Sequence, residues 1–158
     1  MARSRITQEP IRPADLLAGF PSSADGAVLL FLGVVRDHNE GRTVRGLVYE
    51  VYQEMADETL GRIAQEAEER FDTDRILVLH RVGELDVGEV STAILVATPH
   101  REEAYGASRY IIEEIKRRLP VWKQEEYVDG ERAWVSGHVP GSEGVEHDAG
   151  GGEGRGNA

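Results

Sequence analysis

GAVLLFLGVV, residues 26–35, is a nearly continuous apolar run rich in branched side chains. With no polar alternation along it, the run predicts a central strand buried on both faces of a sheet, and it is too short to span a bilayer. It ends in RDHNEGR, residues 36–42, a polar loop in which Asn39 and Gly41 suit positive φ. Residues 44–53 then alternate, with Leu47, Tyr49 and Val51 on one side. That pattern predicts a second strand, antiparallel to the first across the loop.

Working outward, residues 1–25 hold a short strand around 5–8 and a short helix over 13–20, begun by Pro13. On the other side, Ala56, Leu60, Ile63, Ala64, Ala67 and Phe71 recur at helical spacing across residues 54–71. Gly61 inside that helix costs about 1 kcal/mol relative to Ala. Strands follow at 75–82 and 89–98, joined by the turn-rich segment 83–88. A second amphipathic helix covers 99–119, with Ala104, Ala107, Ile111, Ile112, Ile115 and Leu119 inward, and Pro120 ends it. Residues 121–128 and 132–135 predict a hairpin turning on Asp129-Gly130. The expected fold is therefore α+β: a mixed or antiparallel sheet with two main helices on one face. Residues 1–140 read as a single domain and 141–158, GSEGVEHDAGGGEGRGNA, as a disordered, glycine-rich acidic tail.

The 158-residue chain is 40% hydrophobic and 30% charged, with a formal net charge of −11. That charge argues against nucleic-acid binding, which needs an excess of Lys and Arg on some face. The chain has no cysteine, which removes disulfides, thiolate nucleophiles and persulfide carriers together. The start of the chain lacks a signal-peptide core, so the expectation is a cytoplasmic protein with no membrane association. The histidines at 38, 80, 100, 138 and 147 show no metal-ligand spacing, no serine sits in a nucleophile elbow, and no glycine pair makes a phosphate loop. Neither a metal nor a cofactor is expected.

Of 18 basic residues, 16 are arginine, and the two lysines bracket one stretch, KRRLPVWK, residues 116–123. An ammonium differs from a guanidinium in being compact and able to lose its proton. Arg117 and Arg118 beside Lys116 would disfavour its protonated form. Lys116 and Lys123 are thus candidates for chemistry, against the alternative of chance survival in an arginine-rich composition. A second basic cluster is Thr98-Pro99-His100-Arg101. With Thr98 as N-cap and Pro99 as first helical residue, His100 and Arg101 fall in a first turn that attracts anions. Either an anion binds there, or Arg101 pairs with a nearby acid such as Glu102 or Glu103.

Five ordered segments resemble the large catalytic subunit of molybdopterin synthase, the MoaE family: GAVLLFLGVVRDHNEGR, LVYEVYQEMA, LHRVGELDVGE, ATPHREEAY and IKRRLPVWKQE. The resemblance spans roughly residues 5 to 136. It implies an α/β-hammerhead type of fold, a homodimer, and a small ubiquitin-like, MoaD-like sulfur carrier at each end of the resulting heterotetramer. The carrier's C-terminal Gly-Gly thiocarboxylate would give sulfur to cyclic pyranopterin monophosphate, and two transfers would build the molybdopterin dithiolene. By matching motif, Lys116 and Lys123 would be the catalytic amines, Val34, Val35, Arg36, His100 and Arg101 would bind the anionic substrate, and Gln124 and Glu125 would line the pocket. One departure is His138, where members of the family often carry an arginine. The competing expectation is a non-catalytic module that binds an anion or a carrier protein.

Overall fold

The structure is a computed structural model that describes residues 2–135. The expected tail at 141–158, the boundary at 140 and His138 lie outside the described residues. In chain order the elements are β1 (Arg3–Thr7), α1 (Pro13–Leu17), β2 (Ala27–Val34), β3 (His38–Asn39), β4 (Arg42–Val51), α2 (Gln53–Arg70), β5 (Ile76–Arg81), β6 (Gly83–Asp86), β7 (Val90–Thr98), α3 (Arg101–Arg118), β8 (Val121–Tyr127) and β9 (Arg132–Val135).

They form two sheets. The first is four-stranded in the order β1-β5-β7-β2, with β1 parallel to β5 and the other pairs antiparallel. α2 and α3 lay their apolar stripes on one face of it. Leu60, Ile63, Ile111 and Ile115 meet Val78, Ile94 and Val96 there in the main core. Leu16 and the buried Ile11 and Phe20, from around α1, cover Leu79, Ala93 and Leu95 on the other face. In the second sheet β4 pairs with β8 and β6, β8 continues to β9, and β3 caps the start of β4. The α+β class of hammerhead type, with two main helices on a mixed sheet, is what the sequence predicts; the partition into two sheets is not.

Two strand assignments need correction. β2 lies at the edge of the first sheet, pairing with β7 alone, and Val28 and Val34 remain 40% and 48% exposed. The doubly buried strand is β7, whose residues Ser91 to Thr98 are all buried. An apolar run records that a surface is covered, and does not say whether the cover is this chain or another. β4 does not return along β2 either, because the loop forms β3 and folds back on β4. Glu40 and Gly41 take the positive φ values there, 48° and 77°, while Asn39 is extended in β3.

Two glycines make opposite demands. Gly46, where β4 is squeezed between β6 and β8, would place a Cβ 2.8 Å from the Leu85 carbonyl oxygen. Gly61 in α2 would meet only the Ser4 hydroxyl, at 3.5 Å. Gly46→Ala should therefore lower urea stability by about 1–3 kcal/mol, whereas Gly61→Ala should raise it by about 0.5–1 kcal/mol. Equal effects of the two substitutions would contradict this packing.

Candidate active site

α3 ends where Leu119 donates its N–H to the Ile115 carbonyl and Pro120 forbids another turn. Leu119 and Pro120 are buried, and Val121 begins β8 at once. Side chains alternate along β8, so Val121, Lys123, Glu125 and Tyr127 share the inner face, while Trp122, Gln124 and Glu126 face outward. Lys123 stands opposite Tyr49 of β4 in the antiparallel register. Tyr49 packs edge-on to the ring of His80 from β5, centroids 5.3 Å apart at 87°. Lys116, in the last turn of α3, completes the group, for its charge acts on His80 and it feels that of Lys123.

The electrostatics of this cluster favour neutral forms. Partial burial of the ammonium and then the charge of Lys123 hold the Lys116 pKa below the usual lysine value, even though the residue retains exposed surface. Arg117 and Arg118 are not the source of that shift. Arg117 bonds Glu114 at 2.7 Å, and Arg118 is clamped by Glu66 at 2.6 and 3.0 Å and by Glu114 at 3.0 Å. Burial lowers His80 to about 4, with Lys116 acting in the same direction against the opposing Arg81 carbonyl. Burial also raises Tyr49. Among the described residues neither lysine has a carboxylate within ion-pair distance.

The other expected residues fall into two places. Val34 lies past a register shift in β2 and is exposed, and Val35 is buried in the small core of the second sheet. Arg36 follows them, exposed, at the end of the first sheet where β5 ends and β7 begins. Val35 is pinned there by hydrogen bonds with Glu89 and Gly88, and Arg81 braces Glu89 at 3.0 Å. α3 runs back along β7, so Lys116 lies toward this same end. Glu125 is buried on the face of Lys123 and accepts from the Asn39 side chain at 2.9 Å, whereas Gln124 lies on the opposite face.

His100 and Arg101 sit elsewhere. His100 is the N-cap and Arg101 the first residue of α3; Thr98 is not the cap, since its hydroxyl donates to the His100 carbonyl. Arg101 makes no ion pair with Glu102 or Glu103, and a recess of about 460 Å³ lies beside it, lined also by Gly26 and Pro99. Gly26 is needed there, because a Cβ would come 2.3 Å from the Pro99 carbonyl oxygen. With 15 residue steps from Arg101 to Lys116 at 1.5 Å each, the two lie about 22 Å apart along the helix. One chain does not bring them together.

Sequence reasoning passed over His80 and Tyr49. His80 offers no metal-ligand spacing, yet its alternation with Ile76 and Val78 puts it on the inward face of β5.

The chain matches the model of the MoaE protein family over residues 6–118. It belongs to the MoaE family. One relative in it, the molybdopterin synthase catalytic subunit of Pyrococcus abyssi, is 42% identical over 146 residues, spanning 89% of this chain and 98% of the relative. A crystal structure of molybdopterin synthase from Staphylococcus aureus superposes with a TM-score of 0.78 at 34% identity, over 86% of this chain and 98% of that one. A chain from the complex of subunits 1 and 2 of molybdopterin-converting factor from Helicobacter pylori shares the fold at 20% identity, with a TM-score of 0.70 over 85% and 92% of the two chains.

The clamp on α3 makes a pH prediction. Hydrogen bonding to Arg118 depresses the Glu66 pKa below its ordinary 4.5. A depressed carboxylate stabilises the fold above that value and ceases to do so as the pH falls through the folded pKa. Urea stability should therefore drop as the pH falls below the ordinary carboxylate value of 4.5, and Glu66→Gln should flatten the drop while lowering stability at neutral pH. An unchanged slope in the variant would remove Glu66 from the account.

Proposed function

We propose that this chain works as the catalytic subunit of a molybdopterin synthase, moving sulfur from the C-terminal thiocarboxylate of a small ubiquitin-like carrier to cyclic pyranopterin monophosphate. The observation that carries the reading is the convergence of both lysines, neither ion-paired within the described residues, beside a buried histidine in a chain of the MoaE family. The absence of cysteine supports it, because a protein without a thiol cannot hold the sulfur itself and must receive it from a partner. The partner is the carrier subunit, by analogy with the two-subunit complex of the Helicobacter pylori protein.

In this reading the thiocarboxylate sulfur forms a C–S bond to a side-chain carbon of the pterin as that carbon's C–O bond breaks, its oxygen leaving with a proton, and the acyl C–S bond then breaks. The acyl carbon passes to water, directly or by way of the Lys116 amine, and leaves as the carrier's carboxylate. Lys116 acts at that carbon, and Lys123 moves protons at the pterin. Two such transfers give the dithiolene. Arg36, His100 and Arg101 hold the substrate's phosphate, and Val34, Val35 and Glu125 shape the surroundings, while Gln124 faces away from the lysines.

The separation of about 22 Å along α3 supports a site shared between two copies. A single phosphate cannot reach Arg101 and the lysines of one chain, so His100 and Arg101 come from a second copy. The assembly in this reading is a homodimer with two carriers, a heterotetramer. Residues 1–140 form the catalytic domain of this assembly, and it works in the cytoplasm; no helix among the described residues is long and apolar enough to cross a membrane.

Thiocarboxylated carrier and precursor mixed with the protein should be consumed together. Lys116→Ala and Lys123→Ala should each slow product formation at least about 100-fold, and Lys→Arg should not restore it, because guanidinium does not give up its proton. Binding of both reactants without turnover would identify a non-catalytic module instead. Mixed dimers of Lys116→Ala and Arg101→Ala subunits should recover activity at one of their two sites. Failure of such mixtures to recover any activity would disprove the shared site.

A further inference from the structure

β2 lies at an edge of the first sheet, and among the described residues no strand pairs with its other side. Such an edge is ordinarily blunted by a charge or a proline, because its free N–H and C=O groups recruit other strands. This one carries neither, since Ala27–Val34 reads AVLLFLGV. Val28, Leu30, Leu32 and Val34 alternate onto one face, where Leu30 and Leu32 reach the cluster of Ile11, Leu79 and Ala93. Val28 and Val34, at the two ends of that row, are the exposed pair.

The row is complementary to itself. A two-fold axis normal to the sheet pairs an edge strand with its own copy, antiparallel and with each face preserved. Centring the axis on Phe31 sets Val28 against Val34 and Leu30 against Leu32, twice over. Centring it one residue to either side leaves Val34 on Gly26 or Val28 on Arg36. α3 gives the same answer independently. α2 packs on β1 and β5, whereas α3 packs on β7 and β2, so α3 is the helix that borders the free edge. Gly106, Tyr110 and Arg118 approach Phe71 and Glu66 on the α2 side. At about 100° per residue, Arg101, Tyr105, Ile112 and Lys116 lie along the flank away from it. Turned on its own copy, that flank sets the exposed Tyr105 against Ile112, and Arg101 against Lys116. Its axis passes between Ser108 and Arg109, about 11 Å along the helix from Arg101. Phe31 stands opposite Ile94, about 13 Å back along β7 from Thr98. Strand and helix thus put the axis at nearly the same level.

We infer that β2 and α3 form a two-fold interface with a second copy of this chain, β2 pairing with β2 about Phe31 and α3 lying along α3. His100 and Arg101 of the partner subunit then reach the end of β2 that holds Arg36 and Lys116. The inference rests on the shared site proposed above and names the surface that builds it. A strand edge alone makes a narrow contact, and the helix flank adds a second layer. The cations so gathered repel one another until an anion sits among them, which is the character of the substrate.

The chain has no cysteine, so introduced cysteines report the register directly. Opposite residues of antiparallel strands have Cα atoms about 4.5–5.5 Å apart, within disulfide range. Full-length Val28→Cys and Val34→Cys proteins, mixed to exchange subunits and then oxidised, should give the mixed disulfide dimer. Neither should link alone, because its two sulfurs would stand about 20 Å apart along the strands. Val28→Lys, which sets two ammonium groups into the apolar row, should weaken the dimer at least about 100-fold by sedimentation, with an unchanged circular dichroism spectrum. A wild-type chain that sediments as a monomer, a missing mixed disulfide, a self-linked Val28→Cys protein or an undiminished Val28→Lys dimer would each overturn the interface. The shared site fails separately: if the mixed disulfide forms while dimers of Lys116→Ala and Arg101→Ala subunits recover no activity, the interface stands and that reading falls.

Discussion

Two ammonium groups are held within reach of each other's field by a backbone that cannot let them part. Like charges on flexible stems would ordinarily swing away into solvent, at almost no cost. Here the options are narrowed from both sides. Leu119 and Pro120 are buried, so the turn between the lysines is fixed, and β8 is hydrogen-bonded to β4 on one side and β9 on the other. The end of α3 is stapled to α2 by Arg118 and Glu66. Lys123 projects from the sheet's inner face, and the Lys116 ammonium is partly buried although the residue keeps exposed surface. Part of the repulsion is relieved by a proton leaving, which is the state in which an amine is nucleophilic.

The elements that carry this arrangement were legible in the sequence to the extent that their burial is periodic. α2, α3, β5, β7 and the β8–β9 hairpin follow from spacing, and Pro120 marks the helix-to-strand junction without ambiguity. The run at 26–35 misled, because periodicity measures how apolar a strand is and not which neighbour covers it. The glycines of segment 83–88 predict a turn; Gly83 and Gly88 do take positive φ, but four residues of β6 fit at and between them and pair with β4. The lysines stood out only because the rest of the chain uses arginine. His80 and Tyr49 had no such contrast. Each is one inward residue of an ordinary strand, and what relates them to Lys116 is the packing of three elements distant in the chain.

α3 also divides the expected site. A helix is a rigid spacer, and this one separates the cations at its N-terminus from the amine near its C-terminus by most of its length. Residues that belong to one motif set in the sequence thus lie at opposite ends of one molecule. The half-exposed apolar edge of β2 is consistent with a second copy supplying what one copy lacks, for Val28 and Val34 are large apolar side chains left uncovered.

The division of labour between the two cationic side chains then has a physical cause. Arg118 clamps Glu66 and Glu114, Arg81 braces Glu89, Arg75 reaches Asp25 and Arg42 spans Asp129 and Glu131. Each of these arginines is spent on a carboxylate, which suits a planar, permanently charged fork in a chain of net charge −11. An arginine at 116 or 123 could bind the same anions but could not shed its proton when crowded. A lysine at a structural position would be strongly hydrated and hold its carboxylate by a single contact. Keeping ammonium only where no described carboxylate neutralises it leaves Lys116 a nitrogen whose protonation responds to its surroundings, inside a framework of arginines that keep their charge.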